Sequence, residues 1–179
     1  MIELYSERLM LRSLLPSDWA NFLMINQNKD INAFVRQVET LEQIRIKFEQ
    51  KLEPWEFESG DWLTLVIEEL ATGEFVGFSG FNCANLTLRR AEVGYLLSAE
   101  HQGKGYATEA LQGVIDWGAH AYSIHKFIGL CDVRNLGSAK VMMKCGFKQE
   151  GRLRENNKIG ESWSDDYLFG LLVSERVER

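Results

Sequence analysis

The sequence predicts one α/β (α+β) domain, in which a mixed sheet of about seven strands is flanked by helices. Its 179 residues are enough for a single domain with a sizeable core. Short apolar runs separated by turn residues recur in the first hundred residues, which is typical of antiparallel strands. The pattern then changes to strand, helix, strand, helix, and this order requires a parallel pair of strands. We therefore expect residues 1–179 to form a single domain.

Two helices are predicted in the first third of the chain. Ser17-Asp18 is an N-cap signal for a helix that continues to about Asn26. Thr40 and Gln43 have the spacing of a capping box and precede apolar residues at helical intervals, which predicts a helix over Leu41–Leu52.

The strands are predicted from runs of six to eleven residues that are rich in apolar side chains and bounded by polar turns. The segment Ala71–Glu74 has the composition of a hairpin turn between two of them. The predicted strands are Leu9–Leu15, Trp62–Ile67, Phe75–Phe81, Ala91–Leu97, Phe127–Val133, Phe147–Arg154 and Trp163–Val173.

Two further helices alternate with the later strands. Apolar and small residues spaced three and four apart from Ala107 to Gly118 predict an amphipathic helix of about four turns. A second helix is expected over Leu136–Lys144, with Gly146 as its C-terminal signal. The strand near residue 95 should therefore pair in parallel with the strand near residue 130.

The composition excludes several classes of protein. Twenty basic residues against 26 acidic ones give a net charge of −6, which argues against a nucleic-acid binder that relies on a broad basic surface. The longest stretch without Asp, Glu, Lys or Arg, residues 75–88, is too short and too polar to cross a membrane. Charges throughout Met1–Arg12 are not typical of a secretory signal.

The cysteines and histidines indicate a cytoplasmic protein without a metal. Cys83, Cys131 and Cys145 lie far apart inside apolar runs, so we expect buried thiols rather than disulfides. The three histidines share no metal-ligand spacing with one another or with the cysteines.

The junction Gln102-Gly103-Lys104-Gly105-Tyr106-Ala107 is the strongest chemical signal in the chain. It lies between a predicted strand and the start of a predicted helix. Two glycines allow successive N–H groups to point into one concavity, and a helix N-terminus adds about half a positive charge. These features favour a pyrophosphate site, although a plain strand-to-helix turn has the same composition.

The pattern Gln102-x-x-Gly105-x-Ala107 resembles the acyl-CoA signature of the GNAT acetyltransferases. Further blocks along nearly the whole chain resemble the RimJ/RimL-like branch of that family, whose members include ribosomal-protein-alanine and ribosomal-protein-serine N-acetyltransferases. These blocks are Ser6–Arg12, Ala91–Tyr95, Asn135–Ser138, Lys144–Phe147 and Glu150–Arg154.

The resemblance implies a GNAT fold whose sheet is splayed between the two central parallel strands, with acetyl-CoA bound in the opening. Backbone amides of the glycine-containing junction would hold the pyrophosphate, and the strand before it would pair with the pantetheine arm. The contacts implied for the cosubstrate are Leu96, Leu97, Gln102, Gly103, Lys104, Gly105, Tyr106, Ala107, Thr108, Asn135 and Ser138.

The resemblance also implies a proton donor for the departing CoA thiolate. Many relatives use a tyrosine, but the corresponding position here is Met142, which has no proton to donate. In the RimJ/RimL-like branch a serine three residues after the asparagine is the proposed donor, and Ser138 has that position. First-turn helix chemistry is the alternative role of Ser138, and an N-cap is the alternative role of Asn135.

Glu92 is the leading candidate for the base. A glutamate inside an apolar strand beside the cosubstrate has a raised pKa and accepts a proton, directly or through water. An ion pair with Arg89, Arg90 or a basic residue of the next strand is an equally good account of Glu92. Glu68 and Glu69 are alternative bases.

The acceptor is expected to be an amine, with a protein or peptide N-terminus preferred. An α-amine has a pKa near 7.7–8.0 and a lysine side chain near 10.4, a difference of roughly 3.4 kcal/mol in deprotonation cost. A small amine such as a polyamine, amino acid or amino sugar is the second hypothesis, and a non-catalytic acyl-CoA-binding module is the third. The sequence leaves open whether the chain is a monomer or a homodimer.

Overall fold

The computed structural model describes residues 1–176 and is built around an eight-stranded sheet in the order β1-β2-β3-β4-β5-β6-β8-β7. The strands are β1 (Glu3–Tyr5), β2 (Leu9–Ser13), β3 (Leu65–Glu69), β4 (Phe75–Asn85), β5 (Arg90–Leu97), β6 (Lys126–Asp132), β7 (Lys148–Ile159) and β8 (Ser162–Leu172). The α-helices are α1 (Trp19–Gln27), α2 (Lys29–Asn32), α3 (Leu41–Leu52), α4 (Tyr106–Tyr122) and α5 (Leu136–Lys144).

The sheet is mixed because β5 and β6 are parallel, whereas the other neighbouring pairs are antiparallel. The parallel pairing covers three residue pairs, from Arg90 opposite Lys126 to Glu92 opposite Ile128. Beyond these pairs the two strands separate, and the sheet opens at its centre. The expected α/β fold with a splayed parallel pair is confirmed.

Helices cover both faces of the sheet. On one face, α4 and α5 pack their apolar stripes against the sheet, with Ala110, Leu111 and Met142 in the core. On the other face, α1 and α3 contribute Phe22, Ile44 and Phe48, which pack beside Val66 and Phe78 of the sheet. Because side chains alternate along a strand, each residue of β5 faces one of these two helical layers.

Several boundaries differ from the prediction. The sheet has an eighth strand, β1, and its charged three-residue edge segment has too little apolar pattern to be read from the sequence. The strand predicted to end at Leu15 ends at Ser13. The strand predicted to begin at Trp62 begins at Leu65, although the Leu63 N–H still bonds to the carbonyl of Phe81 in β4.

The start of the first helix is a second difference. A 3₁₀ turn covers Pro16–Asp18, and α1 begins at Trp19. The Asp18 carboxylate does not cap α1, because it accepts hydrogen bonds from the Leu15 N–H and from the Arg12 guanidinium. The Asp18 carboxylate is therefore used in an ion pair with Arg12 and not as the cap of α1.

The helices predicted later in the chain agree more closely with the structure. Thr40 and Gln43 form the expected capping box at the start of α3. The helix after the glycine-containing junction extends to Tyr122, about one turn further than predicted. In both cases the signal is local, since capping residues and apolar spacing lie within the helix itself.

Within residues 1–176, no helix is long and apolar enough to cross a membrane. In the same part of the chain, no group of three or more His, Cys, Asp or Glu side chains is placed to hold a metal ion. The three cysteines are free thiols, but only Cys131 is fully buried, whereas Cys83 and Cys145 are half-buried and thus less enclosed than expected.

Candidate active site

A cleft of about 2150 Å³ opens where β5 and β6 separate. It extends from the N-terminus of α4 across the end of β5 to the inner side of α3. The cleft is lined by ten of the eleven residues that the sequence predicted for the cosubstrate and by the predicted base: Leu96, Leu97, Gln102, Gly103, Gly105, Tyr106, Ala107, Thr108, Asn135, Ser138 and Glu92. Lys104 is exposed and lies outside this lining.

The junction between β5 and α4 forms a concave loop because two of its residues adopt a left-handed backbone. Gly103 has φ +75° and Gly105 has φ +84°, values that residues other than glycine rarely adopt. A Cβ added at Gly103 would meet no atom within 4 Å, so open space lies in front of the loop. An anionic group can therefore approach the loop backbone closely.

The start of α4 supplies N–H groups to the same concavity. The Glu109 N–H bonds to the carbonyl of Gly105, the cap of the helix. The N–H groups of Tyr106, Ala107 and Thr108 precede this bond and have no acceptor within the helix. Together with the partial positive charge of a helix N-terminus, they fit the pyrophosphate of CoA.

The first hairpin braces this loop, a feature that the sequence reasoning missed. Glu109 accepts hydrogen bonds from the Ser6 hydroxyl at 2.7 Å and from the Arg8 backbone N–H at 2.7 Å. The Arg8 guanidinium also bonds Glu109 and the carbonyl of Lys104, and it lies 4.6 Å above the Tyr106 ring. Burial works against the charge, but the hydrogen bonds from Ser6 and Arg8 hold the pKa of Glu109 below its ordinary value.

Arg8 also places a cation beside the loop. Its Nη2 atom would lie 3.4 Å from a Cβ at Gly105. The only signal in the sequence was the block Ser6–Arg12, which was recognised as a strand rather than as part of the cosubstrate site.

On the opposite wall, Asn135 and Ser138 begin α5. The Asn135 Oδ1 atom accepts the Ser138 N–H at 3.1 Å, so Asn135 does cap this helix. The Ser138 Oγ atom lies 2.9 Å from the hydroxyl of Tyr95, which also donates to the Ser138 carbonyl at 3.0 Å. Burial raises the pKa of Tyr95, which keeps its hydroxyl protonated.

Tyr95 was not among the residues that the sequence singled out. It lies on β5, on the face that packs against α4 and α5, whereas Ser138 lies 43 residues further along the chain. No short-range pattern reports such a contact. Tyr95 thus supplies a phenol hydroxyl beside Ser138. Met142, on the same helix as Ser138, has no hydroxyl.

Met142 is buried against the sheet. A Cβ added at Gly129 of β6 would lie 2.7 Å from both Sδ and Cε of Met142, so the methionine fills the space that this glycine leaves. Its role in this structure is packing.

Glu92 lies at the last residue pair before β5 and β6 separate. Strand alternation puts it on the face of the sheet that carries α1 and α3. Burial, followed by the nearby carboxylate of Asp166, raises the pKa of Glu92 above its ordinary value. Within residues 1–176, Glu92 makes no ion pair with Arg89, Arg90 or any other basic side chain.

Asp166 is the second carboxylate of the cleft and was also missed. It is buried, lies on β8, and accepts a hydrogen bond from Asn156 Nδ2 at 2.8 Å. The charge of Asp166 acts on Glu92 across β6, which lies between β5 and β8 in the sheet. Two carboxylates in one partly desolvated cleft favour a positively charged or proton-donating group between them.

Glu68 and Glu69, the alternative bases, are held by other partners. Glu68 pairs with Arg12 at 2.5 Å, in a network that includes Asp18. Glu69 accepts a hydrogen bond from the Tyr106 hydroxyl, which lowers the pKa of Glu69 below its ordinary value. Neither residue lines the cleft.

The site combines a phosphate-binding helix N-terminus, an opened central sheet, a hydroxyl pair on one side and a carboxylate pair on the other. These parts define a transferase that takes an activated group from a phosphate-bearing carrier. Comparison with known proteins specifies the family.

Residues 8–148 match the family model described as an acetyltransferase (GNAT) domain. Over 182 aligned residues the chain is 30% identical to uncharacterized N-acetyltransferase p20 of Bacillus licheniformis, with 98% of each chain covered. It is 31% identical over 100 residues to the ribosomal-protein-serine acetyltransferase of Escherichia coli (strain K12), which covers 56% of each chain. The crystal structure of spermidine N-acetyltransferase from Vibrio cholerae, in complex with CoA and spermine, has a TM-score of 0.82 at 23% identity and covers 95% of this chain and 98% of that one.

The chain therefore belongs to the GNAT acetyltransferases, as its motifs predicted. Its relatives include the ribosomal-protein acetyltransferases expected for the RimJ/RimL-like branch. It is an N-acetyltransferase, and acetyl-CoA is its cosubstrate.

Proposed function

We propose that this enzyme transfers the acetyl group of acetyl-CoA to the N-terminal α-amine of a protein or peptide. The observation that supports this most is Glu92, a half-buried carboxylate without an ion-pair partner among residues 1–176, at the point where the sheet opens. Because its pKa is raised, this carboxylate accepts a proton more readily than an ordinary glutamate does, which suits an amine of moderate pKa.

In the proposed reaction, Glu92 removes a proton from the acceptor ammonium, directly or through one water. The free amine nitrogen attacks the carbonyl carbon of the thioester, and a C–N bond forms. The C–S bond then breaks, and the CoA sulfur leaves with the electron pair. The nitrogen still carries a surplus proton after the attack, and Ser138, hydrogen-bonded to Tyr95, relays that proton to the departing thiolate, while Glu92 releases its own proton to water.

The cosubstrate is held by backbone groups in this proposal. The amides of Gly103 to Thr108 bind the pyrophosphate, and the free edge of β5 at Leu96 and Leu97 pairs with the pantetheine arm. The Leu97 carbonyl also accepts a hydrogen bond from Gln102 Nε2 at 3.2 Å, which ties the loop to the end of the strand. Asn135 contacts the pantetheine with the part of its amide that does not cap α5, and the Lys104 side chain adds a charge at the rim.

The pKa of the acceptor favours an α-amine over a lysine side chain. Deprotonating lysine costs roughly 3.4 kcal/mol more, since the two amines differ by about 2.5 pKa units. A single glutamate base with a modestly raised pKa suits the less basic amine. The ribosomal-protein-serine acetyltransferase among the relatives is in line with a protein acceptor.

A small amine is the second candidate acceptor. The carboxylate pair of Glu92 and Asp166 favours a cationic group, and a solved relative binds spermine. A polyamine would therefore find an attractive site at this end of the cleft.

We further propose that residues 1–179 are one N-acetyltransferase domain that works in the cytoplasm. Three cysteines that form no disulfide among residues 1–176, two of them half-buried, suit a reducing compartment.

The experiment is a CoA-thiol release assay with acetyl-CoA and a panel of N-terminal peptides, spermidine, free amino acids and amino sugars. We expect turnover with peptides that have a free α-amine, and none with the same peptides blocked by N-terminal acetylation. Lysine within a blocked peptide serves as the matched control for the two kinds of amine.

Faster turnover of spermidine or an amino sugar than of any peptide would contradict the proposed acceptor. Thermal stabilisation by acetyl-CoA without turnover of any amine would identify the chain as a binding module and contradict catalysis.

A further inference from the structure

The half of the cleft beneath α3 contains three basic side chains that the proposed reaction does not use. They are Arg36, which follows α2, and Lys47 and Lys51 of α3, and all three are half-buried. The Lys51 ammonium donates to the Thr64 hydroxyl at 2.9 Å. Burial, together with the charges of Arg36 and Lys47, lowers the pKa of Lys51 to about 8.

Acidic side chains only partly offset these charges. Glu39 pairs with Lys47, which neutralises both. Asp30, Glu53 and Asp61 also line the cleft, but they are exposed, so water screens them. At Lys51 the effect of Arg36 and of Lys47 is larger than the opposing effect of Asp61.

Arg36 and Lys51 have no ion-pair partner within residues 1–176. Holding unpaired cations in a partly desolvated cleft costs free energy that the fold does not recover. Such an arrangement is typical of a site whose partner is a ligand.

The cleft thus contains the carboxylate of Glu92 in one part and the unpaired cations Arg36 and Lys51 in another. The sheet register gives the separation of the two parts. Thr64, which accepts the hydrogen bond from Lys51, lies next to Gly80 of β4. A Cβ added at Gly80 would be 3.6 Å from the Cα of Thr64. Gly80 pairs with Gly94, two residues from Glu92.

Neighbouring strands lie about 4.8 Å apart and residues rise about 3.4 Å along a strand, so Thr64 and Glu92 are about 12 Å apart. An extended chain covers about 3.3–3.6 Å per residue. One bound peptide could therefore place its N-terminal amine at Glu92 and a side-chain carboxylate at Lys51, if the two groups are about three residues apart in the peptide.

We infer that Arg36 and Lys51 form a subsite for an anionic group of the acceptor, and that the preferred acceptor is a peptide with Asp or Glu at its third or fourth residue. This inference rests on the proposed function, since it takes the reacting amine to be the peptide N-terminus. A polyamine, which has no anionic group, would be repelled at this end of the cleft.

The test compares two peptides that begin Ser-Ala-Asp-Asp and Ser-Ala-Asn-Asn and are otherwise identical, with acetyl-CoA saturating. We expect a kcat/KM at least tenfold higher for the acidic peptide, mostly through KM, and a preference that declines as salt is added. The double variant Lys51→Gln, Arg36→Gln should lose this preference. Lys51→Arg should keep it, as should Lys29→Gln, a change of an exposed lysine outside the cleft.

The outcomes separate the two proposals. Equal turnover of both peptides by the unaltered enzyme would overturn the anionic subsite while leaving N-terminal acetylation in place. A preference that persists in the double variant would also overturn the subsite, because the carboxylates would then bind elsewhere. Turnover of spermidine but of neither peptide would contradict the proposed function, and the anionic subsite with it.

Discussion

Glu92 faces a neighbouring carboxylate and a partly desolvated cleft, and both features oppose its ionisation. Its pKa is therefore raised, so a larger share of Glu92 is protonated at mildly acidic pH than for an ordinary glutamate. Only the ionised form accepts a proton. The base is thus lost as the pH falls through this raised pKa, and it is fully available above it.

We expect Glu92→Gln to lower kcat by about 10²-fold or more, because it removes a positioned base. The acid limb of the pH profile should also change, and the measurement is kcat/KM against pH for both enzymes. The ionisation of the acceptor amine affects both profiles equally, so their difference reports Glu92. Glu49→Gln, an exposed change on α3 outside the cleft, is the matched control.

The same Glu92→Gln variant should have a higher melting temperature at pH 7–8, since the fold no longer holds a partly buried carboxylate next to Asp166. Unchanged kcat with a raised melting temperature would assign Glu92 a purely structural effect.

The hydroxyl pair of Tyr95 and Ser138 gives a second prediction. Tyr95→Phe removes the hydroxyl that holds Ser138 Oγ at 2.9 Å, and we expect kcat to fall about tenfold with little change in KM for acetyl-CoA. If the two hydroxyls act as a unit, Tyr95→Phe should have little further effect in a Ser138→Ala background. Strictly additive losses in this double-mutant cycle would show that they act separately.

At the scale of elements, the turn between β5 and α4 depends on its glycines more than on its side chains. Gly105 caps α4 with φ +84°, and the Ser6–Arg8 hairpin fixes the helix at this position through Glu109. A residue with a Cβ costs roughly 1–2 kcal/mol in this left-handed region, and relieving that strain would turn the amides away from the concavity.

Gly105→Ala should therefore weaken acetyl-CoA binding by about tenfold or more, as measured by calorimetric titration. Gly113→Ala is the matched control: Gly113 lies in α4, and a Cβ there would meet nothing within 4 Å. That change should leave affinity intact and stabilise the helix by up to about 1 kcal/mol. Equal affinity for both variants would contradict the phosphate-binding assignment of the loop.

The elements also show which contacts are readable from sequence. The capping box of Thr40 and Gln43 and the strand-to-helix loop were predicted because their parts lie within a few residues of one another. Glu92 was recognised because a charge stands out in an apolar strand. Its partner Asp166 was not, because β8 follows 70 residues later and comes near only through the strand order of the sheet.

The contact between Arg8 and Glu109 could not be predicted for the same reason, because the two residues are 101 positions apart in the sequence. The sequence noted Arg8 only as part of the block Ser6–Arg12 and indicated no partner for Glu109. The same limit applies to Lys51, whose pKa depends on burial and on the charges of Arg36 and Lys47. The residues that the sequence proposed for the cosubstrate therefore do come together in one cleft, whereas most of the proposed acceptor half is assembled from distant segments.

For the whole molecule, the net charge of −6 indicated an acidic protein, and the structure shows where the relevant charges lie. A strongly anionic cosubstrate is compatible with this excess if, as proposed, backbone amides and the nearby Arg8 bind it. Acidic and basic groups are separated within the cleft, so the overall charge is a poor guide to the acceptor.

The opening between β5 and β6 leaves main-chain groups without strand partners in the middle of a sheet, a region that is normally the most rigid part of such a fold. A molecule that pairs with these edges binds the folded chain and not the unfolded one. At a hundred times its Kd, it would add about 2.7 kcal/mol to the free energy of unfolding. The lifetime of this enzyme against proteolysis would then rise and fall with the cellular supply of acetyl-CoA, so the protein's abundance would follow the metabolic state that feeds its reaction.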